Sequence, residues 1–481
     1  GLPRFVRNDN EIKKLKKVMT IFDLNDDKMT EECGVFGIFN NADAATNVAL
    51  GLHALQHRGQ EAAGIVVANG HGFKSHFADG LVGDNFNSAE VVDKLQGDKA
   101  IGHVRYSTAG SKKSTNNYQP ISAETDAGFI SLAHNGNLTN AEELRRELIS
   151  KGAIFHTSMD SEAIIHLISL SKEPDLIGKI VDAVSQIKGA FSLVILCKDK
   201  LIAFRDPHGV RPLSIGKLGE SVAVASETCA FDIIGAQFER DIKPGEMVII
   251  DNNGIASFNP LEKVDPKFCI FEYIYFARPD SIVEGKSVYQ MRKNIGAQLA
   301  KEAMVEADIV VPVPDSGVPA ALGYAEASGI PFELGIIRNH YVGRTFIEPS
   351  DRIRHFGVKL KHNANPDVIR GKNVVLVDDS IVRGTTSKKI VQMVRDAGAK
   401  KVTMLIASPP TVAPCFYGID TPSADKLIAA NSSVDEIRDV IGADHLTYIS
   451  LDGLYKAVGE TKRNGDLPQY CDACFTRDYP I

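Results

Sequence analysis

The sequence lacks a large excess of either charge. Its 54 Lys and Arg stand against 61 Asp and Glu, a net charge of −7. That balance excludes a general nucleic-acid binder, whose phosphate contacts call for a strong basic surplus. It also lacks any apolar run near the roughly 20 residues that span a bilayer, so no membrane partner is expected. The opening 32 residues have no apolar core of a secretory signal. Cysteine is scarce and odd in number, seven in 481 residues, unlike a secreted disulfide framework. A reducing compartment fits: the cytoplasm, or a plastid if a transit peptide has been removed. What remains is ordinary globular material, 44% hydrophobic and 24% charged, enough for three or so domains of roughly 150 residues each.

Residues 1–32 hold seven basic and seven acidic side chains and read as a leader or propeptide. From Cys33 the texture changes. Strands are expected at 33–39, 62–68, 99–108, 128–136, 191–197, 201–206 and 221–227, with helices near 44–56, 141–151 and 161–170. Strands grouped into sheets and helices grouped together predict sheet-on-sheet packing covered by helices, over 33–265. After about residue 265, short apolar strands end in acidic residues and each is followed by a helix, as at 307–315 and 372–379. That alternation predicts a parallel sheet with ligands at the carboxyl ends of its strands, over 266–445. Residues 446–481 read as a tail.

The string VVLVDDSIVRGTTS (374–387) places four buried residues before Asp378 and Asp379, then a turn rich in glycine and hydroxyls that opens a helix. Unpaired N–H groups and the helix dipole suit a phosphate there. Gly384 permits close backbone approach, and Thr385, Thr386 and Ser387 add donors. The two carboxylates are suited to sugar hydroxyls or a metal. The string resembles the phosphoribosyl pyrophosphate loop of type I phosphoribosyltransferases. The resemblance implies that Asp378 and Asp379 hold the ribose, that Ser380, Arg383, Gly384, Thr385, Thr386 and Ser387 wrap the 5-phosphate, and that Mg²⁺ neutralises the pyrophosphate. Ser316, at the end of the neighbouring strand, is a candidate Mg²⁺ contact together with the two aspartates. Residues 338–362 carry six Lys/Arg against two Asp/Glu and read as a basic lid. YVGRTFI within it, containing Arg344, resembles the flexible loop of amidophosphoribosyltransferases, with His340 where that loop carries Arg.

In the first half, Cys33 precedes HRGQEAAGI (57–65), GHVRYSTAG (102–110), AHNGNL (133–138) and MDSE (159–162). Arg105 can grip a carboxylate through two nitrogens, Asp160 can take an ammonium, and Asn135 with Gly136 can form an oxyanion hole. An amino acid with a side-chain amide, glutamine, needs all of these. No histidine is spaced as a base for the thiol. The α-amine of Cys33 itself, with a pKa of about 8 beside a thiol at about 8.5, is a matched base only if the peptide bond between Glu32 and Cys33 is cut. These motifs resemble the N-terminal nucleophile (Ntn) glutaminase domain of class II glutamine amidotransferases.

The two halves together resemble the amidophosphoribosyltransferase family, with an αββα Ntn sandwich ahead of a type I phosphoribosyltransferase domain. The resemblance implies synthesis of 5-phosphoribosylamine, the committed step of purine synthesis. It also implies passage of ammonia beside Tyr106, feedback by purine nucleotides (AMP, GMP, ADP) and a homotetramer. Cys269, Cys415, Cys471 and Cys474 complete four thiols, whose spacing leaves zinc and a [4Fe–4S] cluster both open. FCxxEYIYF, PCFYGID and CxxCF resemble the iron–sulfur branch of the family and so imply a structural cluster. Cys197 and Cys229, in apolar strings, are expected in the core. An alternative reading keeps the glutaminase and makes the phosphoribosyl domain a non-catalytic nucleotide sensor. Another leaves Cys33 blocked in an interaction protein.

Overall fold

The computed structural model describes residues 33–69, 72–86, 88–106, 117–339 and 362–481. Strand β1 (Gly34–Phe39) is buried on both faces, so it lies between layers. Its Val35 and Phe39 point toward a second sheet. Phe36 and Ile38 meet the helix Ala44–Ala54, whose Val48, Ala49 and Leu52 recur at helical spacing.

Seven antiparallel strands form the first sheet in the order β11-β9-β10-β1-β4-β2-β3. They are β2 (Ala62–Ala68), β3 (Phe73–Asp79), β4 (Lys99–Arg105), β9 (Ser214–Leu218), β10 (Ser221–Ala225) and β11 (Gln237–Asp241) around β1. The second sheet runs β13-β12-β8-β7-β6-β5, from β5 (Ile121–Thr125), β6 (Gly128–Leu138), β7 (Gly189–Cys197), β8 (Leu201–Arg205), β12 (Met247–Asp251) and β13 (Gly254–Phe258). On β7, Val194 and Leu196 face the first sheet. Leu193, Ile195 and Cys197 instead face the helices Ala141–Ser150, Ser161–Leu170 and Leu176–Gln186. The four layers are the expected αββα sandwich.

The second domain centres on four parallel strands: Ile309–Pro312, Asn373–Asp378, Lys401–Ile406 and His445–Tyr448, in that order. Helices Val288–Glu302 and Val318–Ser328 cover one face, and Thr385–Asp396 and Val434–Ile441 the other. Both faces are buried, which explains why the strands read as continuous apolar runs. The regular pattern runs beyond the point where the tail was expected to begin. His445–Tyr448 is the edge strand of this sheet, and the helix Leu451–Ala457 follows it.

The domains share a core. Ala190 and Val210 of the first pack with Phe268–Ala277, Tyr417, Cys471 and Phe475. Glu272–Phe276 makes a π-turn, a helical form that often marks functional sites. Arg292 anchors it by donating to the carbonyls of Tyr273 at 3.0 Å, Tyr275 at 2.7 Å and Ala277 at 2.7 Å.

Candidate functional site

Cys33 stands at the entry of β1, buried, with its Sγ 3.5 Å from the Tyr106 carbonyl. The β1–β4 register sets Gly34 opposite Val104, which brings Cys33 beside Arg105. Arg105 is buried with Nη1 3.7 Å from Glu61 Oε2, while its Nη2 has no hydrogen-bond partner among the described residues. Asn135 and Gly136 lie on β6, opposite Ser192 and Phe191 of β7. A bond of 3.1 Å between His103 Nε2 and the His134 carbonyl ties the Arg105 strand to the Asn135 strand across the two sheets. Burial drives His103 down to about 3, so that ring is neutral.

The Asn135 side chain is fully buried, and among the described residues neither its Nδ2 nor its Oδ1 has a hydrogen-bond partner. An amide left unpaired in a core costs about 1–3 kcal/mol, so a ligand atom is the expected partner. Gly136 has φ +143, and a Cβ there would sit 2.0 Å from the Ala190 carbonyl oxygen; no other residue fits. Asp160 accepts from the Leu138 N–H at 2.9 Å and the Ser161 hydroxyl at 3.2 Å, with His134 Nδ1 at 3.6 Å. Burial alone would raise its pKa, but His134 and these donors hold the carboxyl below the usual range. It is an anion. His134, bonded to Ser161 at 3.2 Å, was not anticipated; its position next to Asn135 was the available clue.

At the other site, strand Asn373–Asp378 delivers Asp378 and Asp379 to its carboxyl end, both buried. Asp379 N–H donates to Asp378 Oδ1 at 2.9 Å. The Asp379 carboxylate accepts from the hydroxyls of Ser316 and, at 2.7 Å, Ser380. Ser316 therefore lies beside the acidic pair with which it was expected to share a metal. Gly384, at φ +81, caps the helix Thr385–Asp396. The first intrahelical bond there runs from Lys388 N–H to the Gly384 carbonyl at 3.0 Å. The N–H groups of Thr385, Thr386 and Ser387 precede it and point toward the loop, as in an anion cradle. Arg383 is half-buried beside them. Arg344, His340 and most of the basic lid fall outside the described residues.

No cysteine is in a disulfide. Cys269 and Cys471 sit in register on two short parallel strands. Val412 and Ala413 donate to the Cys474 carbonyl at 2.8 and 3.1 Å, which draws the Cys415 segment in. Burial pushes the Cys474 thiol well up, and Cys269, Cys471 and Cys415 push it further; Cys471 is pushed up to about 12 by burial and by Cys415. Cys474 therefore lies within reach of the charge of the other three sulfurs. Among the described residues, no three His, Cys, Asp or Glu side chains converge on one metal ion. Cys197 and Cys229 are buried core thiols as expected, Cys197 raised to about 12 by burial.

The sequence reading missed a chain of buried charges between these centres. Glu227 accepts from His57 at 2.7 Å and Arg58 at 2.5 Å. Arg58 also reaches Glu272 at 2.5 Å, and Glu272 lies 3.4 Å from Arg211. Burial would raise Glu227, but His57 and Arg58 hold it far below the usual range. Arg292 is drawn down to about 10 by burial against the opposing pull of Asp379 and Glu227. The clue was a lone acid in each of two apolar strings, SETCAF and FCIFEYIYF.

A buried thiol beside an arginine and an orphaned amide, joined to an acidic pair with a glycine-capped phosphate cradle, defines a glutamine amidotransferase of the phosphoribosyl type. Residues 103–232 match the family described as Glutamine amidotransferase domain. The chain is 54% identical over 463 residues to the amidophosphoribosyltransferase of Rhizobium etli, covering 95% of this chain and 93% of that one. It is 52% identical to a chloroplastic amidophosphoribosyltransferase of Arabidopsis thaliana, covering 95% of this chain and 80% of that one. The structure of the Bacillus subtilis glutamine phosphoribosylpyrophosphate amidotransferase complexed with ADP and GMP superposes with a TM-score of 0.88. That pair is 49% identical and covers 93% of this chain and 97% of the other. The chain belongs to the amidophosphoribosyltransferase family, enzymes of purine biosynthesis.

Proposed function

We propose that the chain runs the family reaction through two sites, with Cys33 as the glutaminase nucleophile once residues 1–32 are removed. The observation that carries this reading is the buried, unpartnered Asn135 amide beside Gly136. Arg105 binds the α-carboxylate of glutamine and the Asp160 anion its α-ammonium. The freed α-amine of Cys33 takes the thiol proton as sulfur attacks the side-chain carbonyl. The tetrahedral oxyanion is stabilised by Asn135 and the Gly136 N–H. Collapse of this adduct releases ammonia and leaves a thioester, which water cleaves to glutamate.

Ammonia then passes Tyr106 to the second site and displaces pyrophosphate at the ribose carbon of phosphoribosyl pyrophosphate. Asp378 and Asp379 hold the ribose hydroxyls. Ser380, Arg383, Gly384, Thr385, Thr386 and Ser387 bind the 5-phosphate, and the charge of Arg344 suits the pyrophosphate. The hydroxyl and carboxylate oxygens of Ser316, Asp378 and Asp379 suit Mg²⁺, which would neutralise the leaving group.

Cys269, Cys415, Cys471 and Cys474 suit a structural [4Fe–4S] cluster. A cationic core bound there would hold as thiolates the Cys471 and Cys474 sulfurs that burial otherwise keeps protonated. Because the Bacillus subtilis relative is complexed with ADP and GMP, purine nucleotides including AMP are proposed as feedback inhibitors here. A homotetramer is proposed with them. The domain bounds proposed are a leader to 32, glutaminase 33–265, a transferase domain from 266 that takes in the edge strand His445–Tyr448 and the helix Leu451–Ala457, and then a cluster-bearing tail.

The test is intact-mass analysis with activity. Protein beginning at Cys33 should release pyrophosphate from phosphoribosyl pyrophosphate when given glutamine and Mg²⁺. Uncleaved chain that deamidates glutamine equally well would refute the role of the α-amine.

A further inference from the structure

Residues 415–418 run from one of the four thiols to the strand that carries Asn135. The Phe416 carbonyl accepts from Asn137 Nδ2 at 3.0 Å. Gly418, at φ +112, is so close to β6 that a Cβ on it would stand 3.0 Å from Gly136 Cα. Between these contacts the Tyr417 carbonyl accepts from Arg211 Nε at 2.8 Å. The same guanidinium lies 3.4 Å from Glu272 through Nη1 and 4.0 Å from Cys415 Sγ through Nη2. Arg211 is wholly buried, and three faces of its rigid fork are each used by a different segment.

We propose that Arg211 is a positioning residue that sets the glutaminase oxyanion strand from the thiol centre. It holds the Tyr417 carbonyl relative to Cys415 and so seats Phe416 and Gly418 against Gly136 and Asn137. A change at the four thiols is then felt at the oxyanion hole through four residues of chain, without any contact to glutamine. The inference rests on the cluster and oxyanion readings above. It goes beyond them in naming the residue and the route.

The oxyanion forms only in the transition state, so misplacing its donors should lower kcat and leave KM alone. In holoenzyme purified without air, Arg211→Met should lower glutaminase kcat about ten- to hundredfold, with glutamine KM within about twofold. Synthesis from added ammonia should stay within about twofold. The midpoint potential of the cluster should shift downward, because a cation beside Cys415 has gone. Arg211→Lys should return the potential toward wild type but not the kcat, since an ammonium keeps the charge and loses the fork. Should Arg211→Met fail to fold, Asn137→Ala removes only the bond to Phe416 and should lower glutaminase kcat about three- to tenfold with iron content intact.

Unchanged glutaminase kcat in iron-replete Arg211→Met or Asn137→Ala would overturn the proposal. So would equal loss of the ammonia reaction, or an unmoved potential in Arg211→Met. Iron and sulfide analysis of the wild-type enzyme tests the cluster reading separately. Absence of both would refute that reading, whereas their presence beside a failed kcat split would refute the role of Arg211 alone.

Discussion

The two halves of the molecule build their sites in opposite ways. The proposed transferase site is nearly contiguous: one strand end, one glycine-capped turn and one helix start supply everything from Asp378 to Ser387. The proposed glutaminase site is gathered from Cys33, Arg105, Asn135 and Asp160, carried by different strands of two sheets and by a helix cap. A contiguous site depends on local backbone geometry. A gathered one depends on the register of whole sheets, so distant packing changes should reach it more readily.

The largest expected effect concerns the gathered site. Asn135→Ala removes the orphaned amide and should lower glutaminase kcat by about 10²–10³-fold, measured as glutamate release. Ammonia-dependent synthesis should be spared, since no transferase residue changes. Asp379→Asn should do the reverse. It disturbs the carboxylate that receives both Ser316 and Ser380, so synthesis should fall about 10²-fold or more with either nitrogen source. Equal loss of both reactions in Asn135→Ala would erase the contrast between the halves.

Between the sites, Glu272→Gln should leave Arg58 and Arg211 facing a neutral group in the core. Removing one partner of a buried pair costs about 3–5 kcal/mol, readable as a lower denaturant midpoint. A smaller effect concerns pH. His103 is held neutral to about 3 in the fold, whereas an unfolded histidine takes a proton below about 6.5. The unfolded state therefore binds more protons across that window. Stability should fall as pH drops from 6.5 toward 3, by up to about 1.4 kcal/mol per unit from this residue. His103→Gln should flatten that part of the stability profile; an unchanged slope would show that His103 is not its source.

The same contrast explains what could be read from the sequence. The phosphate cradle was legible because its residues are neighbours in the chain, and both apolar strands ending in acids lie where expected. Cys33, Arg105, Asn135 and Asp160 could be nominated one by one. That Asn135 has no partner among the described residues, and that His103 reaches the His134 carbonyl, depend on sheet-on-sheet packing that no local pattern encodes. Glu227, Glu272 and Arg211 lie in apolar strings and find each other only when the two domains close. The expected tail boundary at 446 cuts through the strand His445–Tyr448 because HLTY is too short to show a period; its place is fixed by pairing with Lys401–Ile406.

The division of labour is tested most directly by measuring pyrophosphate release from Cys33→Ala with glutamine and, separately, with ammonia at saturating phosphoribosyl pyrophosphate and Mg²⁺. Loss of the glutamine reaction with the ammonia reaction retained is the predicted result. Glutamine-dependent turnover surviving without the thiol, or both reactions vanishing in a folded protein, would contradict the two-site account.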